Sequence, residues 1–196
     1  MKNSFPRFFL SVIVTLFITL TIGYFLYGIK IFIPKYNAFN VTLLAVSGTF
    51  FYFMINYFKA IYAYLFVLLV YVAYMIYIRD VIIFDWIGFL LFFSVNVLAV
   101  ISYNKIFKKP KDIFARWRFF SGVLSMLLLY IVFAMLTLAI QYLIVKYFSS
   151  VKGNYPISNL YLRWQDGIIK NGIAGLGIGL GIEVSKRMVE ELKEKI

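Results

Sequence analysis

The sequence predicts an all-α integral membrane protein, a bundle of about six transmembrane helices followed by a short amphipathic C-terminal helix. Hydrophobic residues make up 63% of the 196 residues and charged residues only 14%, whereas a soluble domain is about 45–50% apolar. The charges fall in a few clusters, and the runs between them reach the ~20 residues that a helix needs to cross the hydrocarbon core. Strands of a membrane β-barrel alternate between apolar and polar residues. These runs are apolar on all sides, so the sequence does not predict a barrel.

The first hydrophobic run is predicted to be a retained membrane span. Lys2 and Arg7 precede it, and it ends in the aromatic and aliphatic residues Tyr24 to Tyr27. A signal peptide has a shorter apolar core and a cleavage site of small residues. This run is longer and carries no such site, so we expect an anchor.

Five further runs complete the predicted bundle. The second and third form one long apolar stretch, interrupted only around Asn56 and Lys59. That stretch is too long for one helix across a core of about 30 Å, which predicts a tight hairpin. The predicted spans cover residues 8–28, 39–57, 60–78, 81–102, 119–146 and 167–184. Residues 1–184 then form the bundle and residues 185–196 a cytoplasmic tail.

The distribution of basic residues predicts that both termini are cytoplasmic. With that orientation, thirteen of the 20 Lys and Arg residues lie on the cytoplasmic side and seven on the other, as the positive-inside rule requires. Trp86 and Trp164 fall at the outer interface and Trp117 at the inner one, where amphipathic rings prefer to lie. The expected location is the plasma (inner) membrane.

The last span carries a glycine at every second position from Gly175 to Gly181. The spacing does not match the phosphate-binding pattern G-x-G-x-x-G, and Leu or Ile fills each position between the glycines. On a helix, Gly172, Gly175 and Gly179 share one side, and Gly167, Gly177 and Gly181 lie roughly opposite. Small residues at such spacing let another backbone approach closely, which predicts a thin span between two neighbours. Those neighbours belong either to the same chain or to another protein, and a hinge or pore-lining role for the glycine helix is the remaining alternative.

The segment after this span is predicted to be an amphipathic helix. Val184, Met188, Leu192 and Ile196 repeat along one face, and Glu183 is placed four residues before Arg187, the favourable order for an ion pair. We expect the helix to lie on the membrane surface or to pack under the bundle. Docking to a partner is the alternative.

The loop before the fifth span carries a cluster of basic residues interleaved with aromatic ones. Clusters of four to eight Lys or Arg next to a span attract anionic lipid at about 1 kcal/mol per charge, although such a cluster also serves as a topology signal. The residues predicted to contact anionic lipid are Lys105, Lys108, Lys109, Lys111, Arg116 and Arg118.

A polar site inside the membrane is predicted from a few residues. Asp85 is the one acid assigned to the interior of a span, and ionisable groups there are functional hypotheses. Asn96 lies eleven residues on, on the same face of the helix. Tyr71 and Tyr74 share a face of the third span and complete the hypothesis. The simpler interpretations are an anchor for Asp85 at the interface and interhelical packing for the tyrosines.

The predicted function is that of a non-catalytic membrane subunit or scaffold. The chain has no Cys and no His, which excludes thiolate and imidazole chemistry, and we expect no catalytic, cofactor or metal site. The expected partners are anionic lipids and a second copy or another membrane protein, not nucleic acid. The alternative is a small-solute or lipid transporter, or its substrate-binding membrane component, with a mostly apolar, aromatic pocket.

The orientation can be tested with topology reporters. Fusions at Ile196 and after Ser149 should report opposite sides of the membrane, because one span separates these positions. If both fusions report the same side, the predicted order of spans is wrong.

Overall fold

The computed structural model of the chain describes residues 4–27, 38–57, 83–107, 117–147 and 158–194. The helices are α1 (Ser4–Tyr27), α2 (Ala38–Tyr57), α3 (Ile83–Phe107), α4 (Arg118–Tyr147) and α5 (Ser158–Glu194). Every element in these ranges is helical, so the all-α prediction is confirmed. The six-span count is not supported at this point, since these ranges hold five helices and the predicted span 60–78 lies outside them.

Within the described ranges, three helices are long and apolar enough to cross a membrane, which supports a membrane protein. These segments are Phe5–Leu26, Arg118–Ile140 and Gly167–Val189, and α2 adds a shorter apolar segment, Val41–Tyr57. The sequence predicted the first two of these spans at nearly the same bounds. The last helix is much longer than its predicted span of 167–184, because α5 continues without a break through 37 residues.

Helix α5 lies at the centre of the bundle. It packs against α4, α1 and α2, while α1 and α2, α2 and α3, and α3 and α4 are neighbours around it. Half of the spanning segment of α5 is buried, compared with 22% for each of the segments in α1 and α4. The least hydrophobic of the three spans is therefore the one that the other helices shield.

One glycine face of α5 lies directly on α4. A Cβ atom added at Gly175 would lie 2.9 Å from the Cα of Leu127 and from the carbonyl oxygen of Met126, and one added at Gly179 would lie 3.0 Å from the Cα of Val123. These neighbours are backbone atoms, so they cannot move away cheaply. Gly172 is looser, since its nearest neighbour is the Ile131 side chain at 3.5 Å.

The opposite glycine face lies on α1. A Cβ atom at Gly177 would meet the methyl group of Thr19, and one at Gly181 would lie 2.6 Å from the carbonyl oxygen of Ser11. Both neighbours of the glycine helix thus belong to the same chain. Gly167 was predicted to lie on this side with Gly177 and Gly181, but it lies against Leu138 of α4. It sits at the edge of the glycine face, where that long side chain covers it.

All five helices bring one terminus to the same end of the bundle, here called the basic end. Phe8 near the start of α1 contacts Phe53 near the end of α2, with ring centroids 5.4 Å apart. Tyr52 contacts Tyr103 near the end of α3 at 5.9 Å. Gly122 near the start of α4 faces Glu183 of α5.

The face of α5 that packs under the bundle differs from the predicted one. Ser185 and Val189 are buried, whereas Met188, assigned to the buried face, is 47% exposed. The tail is part of α5 and continues the spanning segment without a break. The rotation of α5 about its axis is therefore set by the glycine faces and not by the apolar repeat of the tail.

Two alanine substitutions test the contact between α5 and α4. Gly175→Ala should lower the detergent melting temperature, because it forces a methyl group against backbone at an overpacking cost of about 1–3 kcal/mol. Gly172→Ala is the matched control, since its methyl group has room and alanine favours a helix by about 1 kcal/mol. Equal melting temperatures for both variants would contradict this packing.

Candidate functional site

The structure describes part of the predicted intramembrane site. Asn96 is fully buried, and its side-chain oxygen accepts a hydrogen bond of 2.6 Å from the Tyr130 hydroxyl of α4. Asp85 lies in α3, but its side chain is outside the described part of the chain, as are Tyr71 and Tyr74 altogether.

The space around Asn96 is tightly filled. Gly48 of α2 lies next to this pair, and a Cβ atom there would be 2.9 Å from the Asn96 side-chain oxygen and nearer still to the Tyr130 hydroxyl. The fully buried Ile178 side chain of α5 also lies against Gly48. Asn96 therefore acts as a packing contact that joins α3 to α4.

A stripe of hydroxyl side chains follows the inner face of α1. Ser11, Thr15 and Thr19 recur every four residues and are fully buried. The Thr15 hydroxyl shares a hydrogen bond of 3.0 Å with Thr49 of α2 and donates to the Gly177 carbonyl of α5 at 3.2 Å. One side chain thus joins three helices at mid-bundle.

Sequence reasoning did not single out this stripe. Its signal was the i, i+4, i+8 spacing of hydroxyl residues in an otherwise apolar run, which places them on one helical face. A face of small residues opposite the glycines of α5 is the pattern of close helix contact in membranes.

The basic end holds a buried ion pair. Glu183 is only 5% exposed, and its carboxylate accepts hydrogen bonds from the Tyr103 hydroxyl of α3 and from the Lys186 ammonium at 2.8 Å. Lys186 also donates to the Tyr103 hydroxyl at 3.1 Å. Buried charges occur where they are paired and hydrogen-bonded, and both conditions hold here.

Aromatic rings and a glycine enclose this pair. The Lys186 nitrogen lies 5.9 Å from the Tyr52 ring centroid, within cation–π range. It approaches Tyr103 from the hydroxyl edge, 3.1 Å from the hydroxyl oxygen and 5.2 Å from the ring centroid. On the other side, a Cβ atom at Gly122 would lie 2.8 Å from the Glu183 carboxyl carbon. The absence of a side chain at Gly122 therefore leaves room for the Glu183 carboxylate beside α4.

These contacts correct two expectations about acidic residues. Asp85 was taken as the one acid inside a span, yet Glu183 is buried within the segment Gly167–Val189. Glu183 was also expected to pair with Arg187, but it bonds Lys186, and the Arg187 guanidinium lies 4.9 Å from the Phe119 ring centroid. The reason is rotation: the glycine faces turn Glu183 toward Tyr103 and leave Arg187 outside.

The exposed surface of the basic end is cationic and aromatic. Lys105 and Arg118, both predicted to contact lipid, are exposed, whereas Lys108, Lys109, Lys111 and Arg116 lie outside the described residues. Trp117 beside them is 64% exposed. Cations next to an exposed indole are typical of the membrane–water interface.

Comparisons with known proteins identify no relative of the chain. No protein-family model, curated protein or solved structure matches the chain. Within the described ranges, no group of three or more His, Cys, Asp or Glu residues is placed to hold a metal ion. Function is therefore argued from the geometry of the bundle and its basic end.

Replacing Tyr103 tests the buried pair. Tyr103→Phe should lower the detergent melting temperature, because hydrogen bonds to charged groups contribute about 1.5–3 kcal/mol. Tyr57→Phe is the matched control on α2, since that side chain is 42% exposed and stacks on Phe53 through its ring. Equal stability of the two variants would show that the Tyr103 hydroxyl does not support Glu183.

Proposed function

We propose that the chain is a non-catalytic, multi-pass membrane subunit or scaffold that acts through helix–helix and lipid contacts. In this proposal it spans the membrane six times, with the third span over residues 60–78 and both termini in the cytoplasm. It resides in the plasma (inner) membrane, and the basic end faces the cytoplasm.

The observation that carries the proposal is that several buried polar side chains form hydrogen bonds between neighbouring packed helices. Thr15 is bonded to Thr49 and to the Gly177 carbonyl, and Tyr130 to Asn96. Solute pockets instead present convergent polar groups to an open space. A bundle whose polar groups are used for packing is suited to hold a fixed shape for neighbours.

Two kinds of surface are available to those neighbours. The outer faces of α1 and α4 expose large apolar side chains, among them Phe9, Phe17, Leu124 and Leu128, which suit lipid, a second copy or a partner span. The basic end exposes Lys105, Trp117 and Arg118, which suit anionic headgroups at about 1 kcal/mol per charge.

A small-solute or lipid transporter is the second candidate. The observation that favours it is Glu183, because ionisable groups within membrane segments commonly mark ion or substrate pathways. A transporter must admit water to its core during each cycle, whereas a scaffold need not.

Cysteine labelling separates the two candidates, since the chain has no cysteine of its own. Thr49→Cys introduces a thiol in place of the hydroxyl and methyl groups at a fully buried position, and Lys105→Cys is the exposed control on the basic end. In native membranes, a water-soluble maleimide should label the control and leave position 49 at background. Labelling at position 49 would favour the transporter.

A further inference from the structure

Lys186 places its ammonium group inside an enclosure built by three other helices and its own. The Tyr52 ring centroid lies 5.9 Å from its nitrogen, and the Tyr103 hydroxyl oxygen accepts a hydrogen bond of 3.1 Å from it. The Glu183 carboxylate lies 2.8 Å away. Both tyrosines and the glutamate are buried, whereas the Lys186 side chain is 23% exposed. Lys186 is therefore the most exposed of these four side chains.

An aromatic ring, an accepting hydroxyl oxygen and a carboxylate together suit an organic ammonium ion, which carries positive charge and N–H donors. We propose that Tyr52, Tyr103 and Glu183 form a binding site for an organic ammonium group, and that Lys186 fills this site as an internal ligand. The external ligand is a primary ammonium group, carried either by a lipid headgroup at the basic end or by a small amine. The site does not depend on whether the chain serves as a subunit or as a transporter.

The walls of the site are held by contacts that do not involve Lys186. The Tyr103 hydroxyl donates to Glu183, the Tyr52 and Tyr103 rings pack edge to face at 76°, and the α4 backbone at Gly122 backs the carboxylate. Withdrawal of the lysine thus leaves a preformed site with an unbalanced buried negative charge, which a second ammonium ion neutralises.

Lys186 controls entry to the site because it is tethered. An intramolecular ligand acts at a high effective concentration, so a free amine competes poorly with Lys186 in the native chain. Any event that draws Lys186 outward, such as contact of its ammonium with a lipid phosphate, opens the site.

Removal of the lysine side chain provides the test. Lys186→Ala keeps Cβ and lacks the atoms that n-propylammonium supplies. Titration with n-propylammonium chloride should raise the melting temperature of detergent-solubilised Lys186→Ala in a saturable way, as expected for a ligand that binds only the folded state. The uncharged n-propanol should give no such rise, and wild type should respond much less.

Two variants control this result. Lys186→Ala combined with Glu183→Gln should lose the response, because the carboxylate is neutralised, and Arg187→Ala should respond like wild type. Equal shifts with n-propanol, or an undiminished response in the double variant, would overturn the proposal.

Vesicles distinguish the two sources of the ammonium group. If headgroups supply it, Lys186→Ala should melt higher in phosphatidylethanolamine vesicles than in phosphatidylglycerol vesicles, and Glu183→Gln should abolish that difference. A response to n-propylammonium without a lipid difference assigns the site to small amines.

Wild-type protein offers a measurement that does not depend on the folding of a variant. Acetylation of lysines followed by mass spectrometry should modify Lys186 several times more slowly than exposed Lys105, because the Lys186 ammonium is held by Glu183 and Tyr103. Modification of the two lysines at equal rates contradicts Lys186 as an internal ligand.

Discussion

Close backbone contact on two sides of α5 is the constraint on which the rest of the bundle depends. Lipid tails are as apolar as leucine, so helices in a membrane gain little from hydrophobic burial and associate through tight packing and hydrogen bonds. Gly175 and Gly179 admit the backbone of α4, while Gly177 and Gly181 admit α1. Each glycine lowers the intrinsic stability of a helix by about 1 kcal/mol relative to alanine. Because its glycines admit close neighbours on two sides, α5 is nevertheless the most buried of the three spans.

Smooth glycine faces permit close approach, but they do not by themselves fix how far one helix slides along another. Directional polar contacts supply that information. Thr15 ties α1 to Thr49 of α2 and to the Gly177 carbonyl of α5. Tyr130 ties α4 to Asn96 of α3. Each interhelical hydrogen bond is made at one register only, because a slip of one residue would move the donor away from its partner on the neighbouring helix.

The sequence predicted the helical membrane class because it depends on composition and length, which no tertiary contact can reverse. It also predicted that α5 has two close-packing sides, since the glycine spacing alone defines them. The partners on those sides were not predictable, because one sequence does not reveal which of several apolar helices is adjacent. The burial of Glu183 depends on Gly122 and Tyr103, which are distant in the chain, so local charge pairing pointed to Arg187 instead.

The polar contacts differ in charge according to their depth, and desolvation explains the order. Thr15, Asn96 and Tyr130 are neutral and lie toward the middle of the bundle, where an ionised group is most costly. The ionised pair of Glu183 and Lys186 lies at the basic end. The desolvation free energy of a buried ion pair is commonly as large as the attraction between its charges. The pair is therefore a poor source of stability anywhere in the bundle. At the basic end, however, the Lys186 side chain is partly exposed to solvent, and the Tyr103 hydroxyl donates a hydrogen bond to the Glu183 carboxylate. The pair therefore lies where its desolvation costs least.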